Sequence, residues 1–301
     1  MTARRLFSPR QLADALDVSE SSVKRWCDQG LIEVERTAGG HRRVSLPAAL
    51  RFLRESGTPL VRPQVLGLLG FEAAAGEPGQ VRARLFAALA AGDEDAVRGA
   101  LFGRYAAGRS VAELCDGEIT PAFVEIGSRW QHGRLEVYEE RRAVEICLRV
   151  LFDLRGALAR PAAGAPRALG GTLEGDWSTL PTTMAELALS EAGWDARSLG
   201  AGQPAETLAA AVAAEAPRLF WISVSYADDA DRLRRQLEVV HAACAGGRTA
   251  LVVGGRALEP ALRRGLAVSA FCDDMRQLQS LAAVLAPAGE GRRAAEEEES
   301  S

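Results

Sequence analysis

Three histidines and five cysteines in 301 residues leave this chain poor in the side chains that bind metals or carry redox chemistry. Cys27, Cys115, Cys147, Cys244 and Cys272 are scattered, odd in number and never in a CxxC pair. Reduced thiols in a cytosolic protein, with no zinc site, are expected. His41, His132 and His241 stand far apart in the sequence. No HExxH, Walker loop or GxGxxG follows a strand-like segment, and no nucleophile–base pair stands out, so no enzyme is expected. No apolar run approaches the roughly 18 residues of a membrane span. The opening MTARRLFSPRQ turns polar within a few residues, so neither a secretory signal nor membrane association is expected, and the cytoplasm is the expected location. There is no internal repeat.

What remains is ordinary globular material, 48 % hydrophobic and 25 % charged, long enough for two or three compact units. Its charge is unevenly placed. Residues 1–57 hold ten Lys/Arg against seven Asp/Glu, whereas the remainder holds 26 against 33. A basic head on an acidic body suits a nucleic-acid-binding module joined to something that need not touch nucleic acid.

The head reads in detail. Ser8-Pro9-Arg10-Gln11 carries an N-cap, a proline suited to the first helical position and a capping-box glutamine. Leu12, Leu16 and Val18 supply a core stripe, Asp17-Val18-Ser19 a turn, and Ser19 the cap of a second helix with Val23 and Trp26 inward. Leu31–Glu35 and His41–Val44 alternate as two short strands around Ala38-Gly39-Gly40, and Leu46–Arg54 closes the unit as a helix. These residues, FSPRQLADALDVSESSVKRWCDQGLI and RTAGGHRRV, resemble the winged helix-turn-helix head of MerR-type transcription regulators over residues 6–54. The resemblance implies double-stranded DNA with a two-fold operator as partner, bound by a dimer or higher oligomer. Lys24, Arg25, Arg36, Arg42 and Arg43 would neutralise phosphates, Thr37 and His41 would sit in the wing, and Ser21 and Ser22 would reach base edges.

Residues 58–79, rich in Gly and Pro, read as a linker. Residues 80–160 show helical spacing (Val81, Leu85, Leu89; Val97, Leu101; Leu114, Ile119, Phe123, Ile126, Trp130; Val137, Val144, Leu148, Leu151) with breaks at Gly92-Asp93 and Gly108-Arg109-Ser110. That is a four-helix bundle. Over residues 166–288, apolar segments at 168–173, 195–199, 219–224, 250–253 and 268–272 alternate with helical ones. That is a flavodoxin-like α/β domain with a parallel sheet, whose ligands sit at strand carboxyl ends. Residues 289–301 form an acidic tail expected to be disordered. The fold class is therefore multidomain: an α+β winged head, an all-α bundle and an α/β domain.

The bundle and the α/β domain behind such a head resemble the cobalamin-dependent light-sensing repressors of carotenoid synthesis. That family carries a Trp, nine residues and then Glu-His, the Trp covering the corrin and the His able to ligate cobalt after light. Here Trp130 is followed by nine residues, Glu140 and Arg141, with Gly133, Leu135 and Val137 also matching. The family's Asp-x-His-x-x-Gly, whose His holds cobalt from below, corresponds to Asp176-Trp177-Ser178-Thr179-Leu180-Pro181. Ser223-Val224-Ser225 matches a serine motif near the nucleotide tail, and Gly254-Gly255 the glycine pair that gives the tail room.

Both cobalt-reaching imidazoles are thus replaced, by Ser178 and Arg141. A hydroxyl is a poor metal ligand and a guanidinium has no lone pair to offer. Arg141 either reaches the old cofactor space, toward an anion or Asp176, or snorkels to solvent. His132 either nears the upper face or is a solvated turn residue. Trp177 either fills corrin space or packs on the bundle. The favoured reading is a sequence-specific DNA-binding regulator whose sensor module has lost its metal chemistry and serves oligomerisation, a regulatory protein or another small molecule. No metal is expected and no cofactor is assigned. A cobalamin held by non-standard ligation in a light- or ligand-responsive repressor is the alternative, and a corrinoid carrier the third.

Overall fold

A computed structural model of the chain describes residues 5–68 and 78–286. The expected acidic tail, and part of the expected linker, lie outside the described residues. The chain divides into two compact units, residues 1–159 and 160–301, so the head and the bundle share one unit.

The first unit opens with strand β1 (Leu6–Phe7) and helix α1 (Pro9–Leu16). Ser8 and Gln11 form a reciprocal capping box, and Asp17 ends the helix in the left-handed conformation. Ser19 caps α2 (Glu20–Asp28), whose Val23 and Cys27 are buried. Trp26 is only half-buried; its ring lies 4.8 Å from that of Phe52. Strands β2 (Glu35–Arg36) and β3 (Arg42–Ser45) pair antiparallel, with Arg36 opposite Arg42, and β1 pairs with the far edge of β3. Strand structure was expected from Leu31, but it starts at Glu35. Leu31 and Ile32 instead donate their backbone N–H groups to Trp26 O, closing the end of α2. Ser45 caps α3 (Leu46–Ser56).

The first part of the expected linker is not loose chain. Val61 and Arg62 donate backbone N–H groups to Ala15 O, Arg62 pairs with Asp14 and Asp17, and Leu66 and Leu68 are fully buried. A short 3-10 turn at Pro63–Leu66 carries this strap along α1.

The bundle comprises α4 (Pro78–Ala91), α5 (Glu94–Ala106), a third helical run and α8 (Val137–Arg155). The third run is α6 (Val111–Leu114), a π-helical turn at Cys115–Ile119, and α7 (Thr120–Gln131). Most of the expected apolar spacing fills the interior, with Val81, Leu85, Leu89, Val97, Leu101, Leu114, Ile119, Ile126 and Leu151 essentially inaccessible, whereas Trp130 and Val137, at the end of α7 and the start of α8, are exposed. Each inaccessible side chain contributes about 1.5–3 kcal/mol of burial.

The second unit is a five-stranded, wholly parallel sheet in the order β5-β4-β6-β7-β8, from β4 (Arg167–Gly171), β5 (Asp195–Ser198), β6 (Leu219–Ser223), β7 (Ala250–Gly254) and β8 (Ala270–Cys272). Its helices are α9 (Thr179–Glu191), α10 (Ala205–Glu215), α11 (Ala230–Ala245), the short α12 (Pro260–Arg263) and α13 (Met275–Leu285). Alternate strand residues point to opposite faces. Leu169, Phe220, Ile222, Leu251 and Val253 meet α10 and α11, whereas Ala168, Leu219, Trp221 and Val252 meet α9 and α13. The order reverses between β4 and β6, so their carboxyl ends flank the crevice where such sheets hold ligands.

Candidate functional site

The crevice at the ends of β4 and β6 is lined by Leu173, Gly175, Asp176, Ser223, Tyr226 and Arg232, among others. Asp176 organises it. Its side chain, 4 % exposed, accepts from Ser178 N at 3.0 Å through Oδ1 and from Ser225 N and Tyr226 N at 2.5 and 3.2 Å through Oδ2. Its carbonyl accepts from the Thr172 hydroxyl and from Gly202 N. One carboxylate therefore staples the loop after β4 to the loop after β6 and is consumed by backbone donors of its own unit. Asp229 caps α11; backbone N–H groups of Arg232 and Asp231 hold its carboxyl below the ordinary value.

Ser178 begins α9 without a side-chain capping bond. Trp177 is 70 % exposed, its ring lying over Gly202, where an added Cβ would come within 2.5 Å of it. Ser223 and Ser225 are buried. The glycine pair has a backbone reason to be glycine. A Cβ on Gly254 would sit 2.5 Å from Cys272 O, and one on Gly255, at φ +129°, 2.2 Å from Val224 O. Two interior glycines of β4 were not singled out in the sequence. A Cβ on Gly170 would fall 2.2 Å from the Trp221 ring, and one on Gly171 2.6 Å from Gly200 O. Glycine inside a strand signals such a close approach. Trp221 is buried, and its Nε1 donates to Thr182 Oγ1 (3.0 Å), which pairs with Ser198 Oγ (3.1 Å). The face beneath α9 is filled by that indole together with Trp194, Ala185 and Leu189.

In the first unit, Trp130 ends α7 at 43 % exposed, and Glu140 and Arg141 lie in the first turns of α8, Arg141 exposed. It is the neighbouring Arg142 that turns inward, donating to Ala90 O at the end of α4 (2.6 Å). His132 is the turn residue after α7, its Nδ1 2.6 Å from Ser128 O. In the head, Ser21, Lys24 and Arg25 lie on the exposed side of α2, with Ser22 half-buried, and Thr37 and His41 at the exposed tip of the hairpin. Lys24 pairs with Glu20 (2.8 Å), Arg42 with Asp28 (2.5 Å), and Arg36 donates to Gly40 O (3.4 Å). Arg25 and Arg43 make no ion pair among the described residues.

Comparison with known proteins bears on residues 81–283. Two family models, each described as a B12 binding domain, match residues 166–283 and 81–152. The Methanosarcina barkeri monomethylamine corrinoid protein is similar in fold, with a TM-score of 0.57 at 12 % identity, covering 68 % of this chain and 98 % of that one. A cobalamin-binding protein from Desulfitobacterium hafniense DCB-2 aligns at 18 % identity and a TM-score of 0.36, over 68 % of this chain and 98 % of that chain. No curated protein matches.

The residues present do not fit cobalt ligation in the manner implied by the resemblance to the cobalamin-dependent repressors. At the end of β4 the donor is the Ser178 hydroxyl, and the second unit's one histidine, His241, lies on α11. Among the described residues no cluster of three His, Cys, Asp or Glu could hold a metal, and none of their helices is long and apolar enough to cross a membrane. The likeness does not depend on those ligands: residues 81–152 and 166–283 form a cobalamin-binding-like module, each part matched by a model described as a B12 binding domain.

Proposed function

We propose that the chain is a sequence-specific DNA-binding transcription regulator, not an enzyme, acting as a homo-oligomer, whose cobalamin-binding-like module works without cobalt chemistry. The observation that carries the DNA half is the exposed side of the head. There α2 presents Ser21, Lys24 and Arg25, and the hairpin presents Arg36, Thr37, His41 and Arg43, with the helix–turn–helix geometry set by Asp17 and the cap at Ser19. A capped helix beside a short basic hairpin supports reading this part as a winged helix-turn-helix head of MerR type. The helix lies in the major groove and the guanidinium groups meet phosphates.

The module's role is then oligomerisation, docking of a regulatory protein or sensing of a small molecule other than a metal-ligated corrin. Ser178 and Arg141 in place of imidazoles support this reading. A second reading keeps cobalamin, held without a protein imidazole. What favours it is Trp130, half-exposed at the end of α7, with Glu140 on the next helix. Two measurements decide between them. Purified chain is mixed with adenosylcobalamin, washed and scanned in the visible, and separately used to select duplexes from a random pool at about 50 mM salt. Colourless protein that retards a selected duplex supports the proposal. Corrin colour surviving the wash overturns its cobalt-free half, and recovery of no preferred duplex overturns its DNA half.

A further inference from the structure

Helix α3 closes the head and also meets the bundle, through two arginines one turn apart. Arg51 Nη2 donates to Gly156 O at the end of α8 (2.7 Å), while Nη1 reaches Glu33 Oε2 within the head (3.3 Å). Arg54 Nη1 donates to Tyr105 O (3.2 Å) and Arg109 O (2.6 Å) at and beyond the end of α5, and its guanidinium lies 4.3 Å over the Tyr105 ring. Helix C-termini leave carbonyls unpaired and carry the negative end of the dipole, so each guanidinium sits where cations are most favoured. Pro47, in the first turn of α3, abuts Gly156, where a Cβ would come 3.1 Å from the proline ring. A separate contact lies at the start of α5. Arg5 bridges Gly67 O and Asp95, at 3.0 and 2.7 Å.

We infer that Arg51 and Arg54 are positioning residues that make the head and the bundle one rigid arm. Any rearrangement of the bundle then carries α2 and the hairpin with it. The rigidity stands on these contacts alone; its consequence at DNA rests on the proposed function. For a two-fold operator, the distance between recognition helices is set by how the bundles pair.

The test is a distance measurement between spin labels at Arg10→Cys on α1 and Glu145→Cys on α8, both exposed sites, in the full chain. The five native cysteines are buried, and burial pushes the Cys147 thiol up to about 12 and those of Cys244 and Cys272 to about 11, so the labels go where they are placed. Diluted into excess unlabelled chain, so that only distances within one chain are read, the parent should give one narrow distance peak and Arg51→Ala/Arg54→Ala a broad one, with Arg51→Lys/Arg54→Lys in between. Gly156→Val, which wedges against Pro47 with both arginines present, should shift the peak without loss of fold by circular dichroism. A broad peak in the parent, or an unchanged narrow peak in the alanine pair, overturns the inference, and an unmoved peak in Gly156→Val overturns the part assigned to the Pro47 contact.

At DNA, separating two selected half-sites by an extra half-turn, about 5 bp, should weaken parent binding roughly a hundredfold. The alanine pair should lose most of that discrimination. An unfolded or weakened head would lower affinity at every spacing, so retained spacing dependence in the pair also overturns the inference. Failure of the DNA reading itself would show as no binding at any spacing, with the distance peaks unaffected.

Discussion

Asp176 is where a single atom-scale change should be most legible. Its carboxylate accepts three backbone N–H groups, from Ser178, Ser225 and Tyr226, in a site 4 % exposed. Leaving a buried donor unsatisfied costs about 1–3 kcal/mol, and the three share one acceptor group, so their losses do not simply add. Asp176→Ala should therefore cost the second unit about 4 kcal/mol, a large part of a typical domain's 5–15 kcal/mol. Asp176→Asn separates acceptor geometry from size. If its carbonyl serves Ser225 and Tyr226, its amide donors confront Ser178 N–H, and the reverse choice orphans the other two. It should lose about 2–3 kcal/mol despite being nearly isosteric. Hydrogen exchange on the intact chain is the assay, because two units unfolding separately blur a global midpoint. Amides of residues 176–178 and 223–226 should lose protection together while those of α5 and α8 keep theirs. If Asp176→Asn leaves both loops protected to within about 0.5 kcal/mol of the parent, the staple reasoning fails.

Other expected outcomes test different parts of the molecule. Arg43→Ala should reduce the salt slope of DNA binding by about 0.9 for its one phosphate, whereas Arg42→Ala, whose guanidinium is already paired with Asp28, should reduce it less; equal effects in a titration from about 50 to 200 mM salt would contradict this. Gly255→Ala should destabilise the second unit by about 1–3 kcal/mol or more, because the clash at 2.2 Å is with backbone and φ is +129°, and parental hydrogen-exchange protection throughout that unit would refute it. Burial alone would raise the Glu94 carboxyl, but hydrogen bonds from Arg98 and Arg149 outweigh it and hold the group below its ordinary 4.5. The stability that Glu94 lends the first unit is therefore complete above about pH 4.5 and lost as pH falls through the lowered value; Arg149→Met should reduce this acid sensitivity in urea unfolding. Glu118, 4 % exposed on the π-helical turn, accepts both Nε and Nη2 of Arg104, so Glu118→Ala should cost about 3–5 kcal/mol by calorimetry.

The legible parts of the fold were those fixed by local chemistry. The capping box at Ser8 and Gln11, the cap at Ser19 and the apolar spacing from Val81 to Leu89 depend on neighbours in sequence, and each reads directly as structure. The alternation of strands and helices after residue 167 likewise fixes a parallel sheet, since a parallel crossover needs a helix of about that length. Less legible was anything decided at a distance. Leu31–Val34 has strand-like alternation, yet the close of α2 claims Leu31 and Ile32. The strap at 58–68 is composed like a loop, but Leu66 and Leu68 are buried in the folded unit and Arg62 pairs with Asp14 and Asp17, contacts that the local sequence does not announce. Trp221 reads as an ordinary strand tryptophan until Gly170, fifty residues earlier in the chain, is seen to make room for it.

The same distinction bears on which shared positions speak about a ligand. Asp176, Gly254 and Gly255 match a cobalamin-binding pattern, but the backbone of this chain already requires them. The aspartate satisfies three donors, and the glycines admit carbonyls closer than any Cβ allows. A domain that had lost every ligand would still retain them, so they weigh nothing for or against a corrin. Trp130, Glu140, Arg141 and Ser178 are different. Among the described residues none of these side chains makes a hydrogen bond, and the fold asks little of them. Side chains unspent on structure are the ones a ligand can select, and Arg141 in the first unit and Ser178 in the second stand where the resemblance to the cobalamin-dependent repressors implies imidazoles. A guanidinium and a hydroxyl suit an oxyanion or a hydrogen-bonding partner better than a transition metal. Under the proposed function, substituting Arg141 or Ser178 should change what the module binds while leaving hydrogen-exchange stability in the unit that carries the change within about 0.5 kcal/mol of the parent.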